Sequence, residues 1–173
     1  MVTAASRSPL PAELKPESVT IVVDTREQLP WEFPQFRTQP GTLDAGDYSV
    51  AGLESIVAIE RKSLSDLIGC IGGERERFER ELHRLAAYPA RAVIVEASWS
   101  DLEAGEWRSQ VTPVAVIGSV LGWISQGVPF VLAGNRERAE LFAARMLFIA
   151  ARRRYRECRE LLRHIQEGGH DER

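Results

Sequence analysis

Cysteine is scarce in this sequence. Cys70 and Cys158 lie far apart, and neither has a Cys-x-x-Cys or histidine neighbour. That spacing does not build a zinc site, and a disulfide does not follow from sequence alone. Reduced, partly buried thiols of a cytosolic protein are the expectation. Positive charge is not in excess either: 22 Lys and Arg against 25 Asp and Glu give a net charge of -3 and a pI near 5.7. No global basic balance announces a nucleic-acid partner, although the placement of arginines matters more than their sum. No apolar run reaches membrane-spanning length, so no membrane partner is expected, and no internal repeat stands out. Residues 1–18 hold three prolines and no apolar run, which excludes a signal peptide or an anchor there and predicts a mobile tail.

What remains is an ordinary globular composition, with 44% hydrophobic and 27% charged residues. At 173 residues a single domain with a real core is expected, spanning 19–166, followed by a short charged tail over 167–173. Val19 to Val23 read as a buried strand ending in Asp24-Thr25-Arg26-Glu27, broken by Pro30 and Pro34. Residues 35–45 lack a period and are expected to include an edge strand near Gly41 to Leu43. Tyr48 to Val50 and Ser55 to Ile59 predict an antiparallel pair around a turn at Ala51-Gly52. Ser63 predicts a helix cap with Asp66 three positions on. The Gly72-Gly73 pair predicts a break before a second helix reaching about Ala87. Arg91 to Ala97 is a strand, 98–110 a polar loop, and Thr112-Pro113 opens a helix to about Ser125. Val128 to Leu132 is a short strand, and Asn135 caps a last helix continuing to about Gln166. A strand, a strand pair and then alternating helices and strands predict a three-layer α/β domain, with a mixed central sheet flanked by helices.

The chemistry concentrates in Gly46 to Asp66, GDYSVAGLESIVAIERKSLSD. Strand alternation points Glu60 and Lys62 to one side and Arg61 to the other. Two carboxylates with a lysine on neighbouring strands suit a hard divalent cation, Mg2+ or Mn2+, and an activated water beside it. Glu-Arg-Lys-x-x-x-Asp arises by accident on the order of once in a thousand chains of this length, at roughly 6% per residue type. Asp47 reads as a site acid or as a turn residue beside Gly46. Asp66 reads as a site acid or a helix-start acid. Arg61 reads as an ion-pair or a phosphate contact, and Asp24 as a supporting acid or a loop cap.

Val23-Asp24-Thr25-Arg26-Glu27, Gly46-Asp47-Tyr48 and Glu60-Arg61-Lys62-x-x-x-Asp66 together resemble the nuclease domain of the XPF-type structure-specific endonucleases, which has a restriction-endonuclease-like fold. The likeness covers about Val19 to Ala150. It implies cutting of one DNA strand near a duplex-to-single-strand junction, such as a 3′ flap or fork, with Mg2+ or Mn2+ as cofactor. Matched residue by residue, Asp47 and Glu60 would be metal ligands, and Lys62 would orient water or stabilise charge on the phosphate. Asp24 and Asp66 would support the site, and Arg61 would contact the scissile region or brace the acids. Family members commonly form dimers through this domain, so a homodimer is expected, with Val116, Val120, Trp123, Phe142 and Met146 as interface or core. The family usually adds a tandem helix-hairpin-helix module; here an arginine-rich helix ends the sequence instead. Arg26, Arg75, Arg77, Arg84, Arg152 and Arg153 are the candidate DNA contacts; the alternative is an exposed helix for Arg75, Arg77 and Arg84, and a solvated helix face laced with i,i+4 pairs for Arg152 and Arg153. The resemblance also allows a non-catalytic DNA-binding or scaffolding subunit. It places the protein in the cytoplasm near the nucleoid of a prokaryote, or in the nucleus of a eukaryote.

Overall fold

Strand alternation and two unlike sets of helices generate three layers. The computed structural model describes residues 10–168. Its six strands are β1 (Thr20–Asp24), β2 (Arg37–Gly41), β3 (Tyr48–Val50), β4 (Val57–Lys62), β5 (Ala90–Val95) and β6 (Phe130–Leu132). They form one sheet in the order β2-β1-β3-β4-β5-β6. β3 runs antiparallel to both β1 and β4, whereas β1–β2, β4–β5 and β5–β6 are parallel pairs. The sheet is therefore mixed, as expected.

Along β5, Val93 and Val95 face one core, while Ala92 and Ile94 face the other, the period-two alternation of a strand buried on both sides. On the first face lie α1 (Leu64–Gly72), α2 (Arg75–Ala86), α3 (Trp99–Ala104) and α4 (Pro113–Ser125). They bring Leu67, Phe78, Leu82, Leu102, Val120 and Trp123 against the sheet. The second face is covered by α5 (Arg136–Gly168), whose Ala139, Ala143 and Leu147 pack on Ile21, Ile59 and Ile94. Truncating a fully buried leucine such as Leu147 to alanine costs roughly 2–5 kcal/mol in a core of this kind. Among the described residues no helix is long and apolar enough to cross a membrane.

Several local expectations hold for the reasons that motivated them. Ser63 and Asp66 form a reciprocal capping box, α1 ends at Gly72, and Gly73 separates it from α2. Thr112 caps α4 with Pro113 in its first turn, and Asn135 Oδ1 accepts from Arg138 N–H at the start of α5.

Three differ. The edge strand is Arg37–Gly41 rather than Gly41 to Leu43; its residues are nearly all exposed, so no burial period marks it, and Pro40 is tolerated at an edge. The loop expected over 98–110 contains α3, started by a Ser98–Asp101 capping box and closed by left-handed Gly105. Residues 10–18 of the predicted mobile tail lie against α5: Tyr155 Oη donates to the Pro11 carbonyl at 2.7 Å, Arg159 donates to that of Ala12, and Leu14 packs on the second core. Residues 1–9, and the charged tail beyond Gly168, lie outside the described residues. Of the residues read as interface or core, Val116, Val120 and Trp123 are core residues on α4; that helix shows Val114, Leu121 and Ile124 to the outside.

Candidate active site

Gly46 makes the site possible. Its φ is +73°, and a Cβ there would stand 2.8 Å from the Ile59 carbonyl oxygen, so only glycine lets this segment close on β4. Asp47 then donates its backbone N–H to Ile59 O at 2.8 Å, and its carbonyl accepts from Asp24 N–H at 2.8 Å. The side chain takes up the pairing where the regular β3–β4 ladder has ended: Asp47 Oδ2 accepts from the Arg61 backbone N–H at 2.7 Å.

Glu60 and Lys62, two residues apart on β4, turn to the same side and form a hydrogen-bonded ion pair. The Lys62 ammonium also lies 4.9 Å from the centre of the Phe78 ring and 4.0 Å from Glu81 Oε2. Asp47, Glu60 and Lys62 line one cleft of about 360 Å³, together with Asp24, Arg26, Asp44, Gly46, Arg77, Glu81 and Arg84.

The electrostatics of the cleft are unbalanced. Burial, and then the neighbouring Glu60, raise the Asp47 pKa to about 8, against the opposing pull of the Arg61 N–H and of Lys62. Burial likewise lifts Glu60 above the usual carboxylate range, although Lys62 opposes it. Burial works against the charge on Lys62, but Glu60 outweighs it and holds the lysine above its ordinary value. Lys62 is therefore a standing cation at neutral pH.

Asp24 behaves differently. Only 2% exposed, it accepts from Arg26 N, Nε and Nη2 and from Leu43 N, at 2.7–2.9 Å. These bonds, led by the Arg26 side chain, lower its pKa to about 2 against the cost of burial. Both its oxygens are engaged, so Asp24 braces the β1 end and the Leu43 segment.

The other candidates separate. Arg61 does not face the cleft: by alternation its guanidinium lies on the opposite side, bound to Glu96 at 2.8 Å and to Glu27 at 3.3 Å. Only its backbone N–H serves the cleft. Asp66 is exposed, accepts from Ser63 Oγ at 2.7 Å, and lies outside the cleft lining. Helix capping has claimed it, because that bond forms within one turn. Arg75 braces α2 against α4, bonded to Ser119 at 2.9 Å and to Glu79 at 2.9 Å beside the Trp123 ring. Arg26 and Arg77 line the cleft but are engaged by Asp24 and Glu74 respectively, whereas Arg84 lines it with an exposed side chain. Arg152 lies over the Phe148 ring and Arg153 pairs with Glu157, both on α5, which contributes nothing to the cleft lining.

Sequence reasoning passed over Asp44, Glu81 and Glu96. Arg77, Glu81 and Arg84 share one stripe of α2 at i, i+4, i+7, which the helical period reveals; its orientation toward β4 is set by packing alone.

Among the described residues no group of three or more His, Cys, Asp or Glu is disposed to hold a metal ion. The cleft does bring together a pair of carboxylates, Asp47 and Glu60. A pair is compatible with Mg2+ or Mn2+, which commonly take one or two protein carboxylates and complete their shells with water and substrate phosphate. The raised pKa of both acids fits that chemistry, since a bound cation would favour their ionised forms.

No curated protein sequence matches the chain. Among solved structures, XPF from Aeropyrum pernix is similar with a TM-score of 0.60 at 20% identity, over 82% of this chain and 69% of that one. XPF from Aeropyrum pernix in complex with DNA is similar with a TM-score of 0.61 at 19% identity. That match covers 76% of this chain but only 64% of the other, so this chain spans less than two thirds of that relative. Both likenesses are of fold. Residues 23–145, well over half of the sequence, match the ERCC4 domain, and with the mixed sheet and its two helical layers they make this chain a member of the ERCC4 domain family with the fold of an XPF-type nuclease domain.

Proposed function

We propose that this chain is a Mg2+- or Mn2+-dependent endonuclease that hydrolyses a phosphodiester bond in one DNA strand, at branched DNA or at duplex-to-single-strand junctions such as 3′ flaps and forks. Family membership supports the broad part of this reading, a DNA nuclease or DNA-binding role. The solved relative in complex with DNA is consistent with a DNA partner. The observation that carries the catalytic part is the cleft itself: two carboxylates whose protons are held too tightly, beside a lysine that stays charged.

Asp47 and Glu60 would hold the cation, each with one carboxylate oxygen already committed, to Arg61 N–H and to Lys62 respectively. When bound, the cation lowers the pKa of water and polarises a phosphoryl oxygen. Lys62 contributes fixed positive charge where negative charge grows on the phosphate. Paired with Glu60, it contributes charge rather than proton transfer in this reading. Phe78 beneath the ammonium restricts its movement and keeps one side dry. Glu81, 4.0 Å from Lys62, adds negative charge at the α2 side of the cleft. Arg84, with Arg77 beside it and Arg26 across the cleft, would receive backbone phosphates with salt-dependent affinity. A homodimer belongs to the same proposal, supported by the apolar side chains that α4 and α5 leave exposed, Val114, Leu121 and Ile124 on one and Leu141 and Ile149 on the other.

The test is nicking of an end-labelled flap or fork in Mn2+ and in Mg2+. Wild-type protein is expected to cut one strand, whereas Asp47→Ala and Lys62→Ala remain folded and do not. Equal cutting by both variants would remove the catalytic reading. DNA binding without turnover in any divalent metal would leave a non-catalytic subunit.

A further inference from the structure

Behind the cleft, on the sheet face that α5 covers, Glu96 is the hub of a second polar cluster. It follows β5, and its backbone N–H donates to the Lys62 carbonyl at 2.9 Å, which holds it beside the end of β4. Its carboxylate takes Arg61 in a fork, Nε to Oε1 at 2.8 Å and Nη2 to Oε2 at 3.2 Å. Trp31 Nε1–H donates to Oε1 at 2.6 Å, and Arg136 Nη1 stands 3.7 Å away. Trp31 is itself fixed, stacked on Tyr48 at 4.8 Å between ring centres, with its backbone N–H donating to Tyr48 Oη. Glu96 thus joins the loop after β1, the end of β4 and the start of α5, and it does not line the cleft.

We infer that Glu96 is a positioning residue for the cleft carboxylates: by gripping the Arg61 side chain from the far face, it fixes the direction in which the Arg61 backbone N–H meets Asp47 Oδ2. This rests on the metal-dependent reading above. The reason lies at the strand end. The last paired residues of β3 and β4 are Tyr48 and Ile59. Beyond them β4 has only a parallel partner, β5, and on its other side the Arg61 amide bonds to a side chain. A carboxylate held by one such hydrogen bond takes its orientation from the amide that donates it. The direction of that amide depends on the Arg61 backbone, and the bidentate fork anchors it because a guanidinium and a carboxylate meet in only a few geometries. Outer partners of this kind set metal affinity without touching the metal.

The experiment uses the full chain, stripped of metal. Free Mn2+ is followed by its electron paramagnetic resonance during titration, and exchange of the Arg61 amide proton is measured in the metal-free protein. Glu96→Gln keeps the volume and removes the charge. It is expected to weaken Mn2+ binding about tenfold or more and to speed exchange at Arg61, while nicking recovers to within a few-fold at saturating Mn2+. Leu147→Val, a core change on the buried side of α5, controls for lost stability and is expected to move neither reading. If Glu96→Gln does not fold, Glu96→Asp, which retains the charge one methylene short, is read the same way. Unchanged Mn2+ affinity and unchanged Arg61 exchange in the folded variant overturn the inference, as does equal weakening by Leu147→Val. A loss of nicking that saturating Mn2+ does not restore assigns Glu96 another role and also overturns it. Failure of wild-type protein to bind Mn2+ is a different result: it removes the metal-dependent reading itself, and this inference with it.

Discussion

The two sides of the β4 end are built from the same residue types and have opposite electrostatics. On the α2 side, Asp47 and Glu60 are crowded together with one lysine, and both are pushed toward their protonated forms. On the α5 side, burial also works against Glu96, yet Arg61 and Trp31 outweigh it and hold its pKa below the usual value. Asp24, at the edge of the cleft, belongs with Glu96: four donors satisfy it. Acids that complete the fold have their partners within the protein. The cleft acids have one donor each, too few to offset their burial. Glu60 and Glu96 side chains show the same 12% to solvent, but Glu60 lies among more protein atoms and has one donor, whereas Glu96 has Arg61 and Trp31 to offset its burial.

The contrast can be broken most sharply at Glu60. Glu60→Gln removes one cleft carboxylate at constant volume, and nicking is expected to fall by about 10²–10³-fold, the usual effect of losing one preorganised electrostatic group. Single-turnover cleavage of a labelled flap measures it, and a loss below tenfold would move Glu60 into the structural class.

Asp24 sharpens the other side. Its folded pKa of about 2 lies below that of an unfolded aspartate. Its contribution is therefore complete above about pH 4 and is lost as the pH falls through about 2. Asp24→Asn is expected to cost roughly 2 kcal/mol at neutral pH while Mn2+ affinity is retained. Urea midpoints at pH 7 and near pH 2 should show the difference shrinking at the acid end.

Asp47 carries the opposite sign. With a folded pKa of about 8, the folded protein keeps a proton that the unfolded chain releases above about pH 4, so stability falls as the pH rises across that window. Asp47→Asn removes the slope. In metal-free buffer it is expected to match the wild type near pH 4 and to exceed it by several kcal/mol at pH 8, at about 1.4 kcal/mol per pH unit across the window. A wild-type urea midpoint that stays level over this range would end the distinction between the two sides.

Much of this arrangement was legible before any coordinates. Period-two alternation separates Glu60 and Lys62 from Arg61, and the structure finds them on opposite faces. Gly46 stands before Asp47 because the chain must pass close to Ile59 there. The misses share a cause. β2 has no buried face to leave a period. α3 buries only Leu102, so its Ser98–Asp101 cap stood in the sequence without an apolar stripe beside it. For Asp66 and Asp24 two readings each stood open in the sequence, and local partners, Ser63 and Arg26, engage both acids.

The sequence by itself determined which elements form and which face of each strand a side chain takes, because alternation and capping act over two to four residues. Only the tertiary structure decided that Glu81 of α2 stands near Lys62, and that Glu96 reaches Arg61 across 35 positions. It also decided which carboxylates are buried with too few donors to offset the burial, and so which pKa values rise. Those outcomes depend on which surfaces pack against one another and on how much water they exclude, and neither is written in any local stretch of chain.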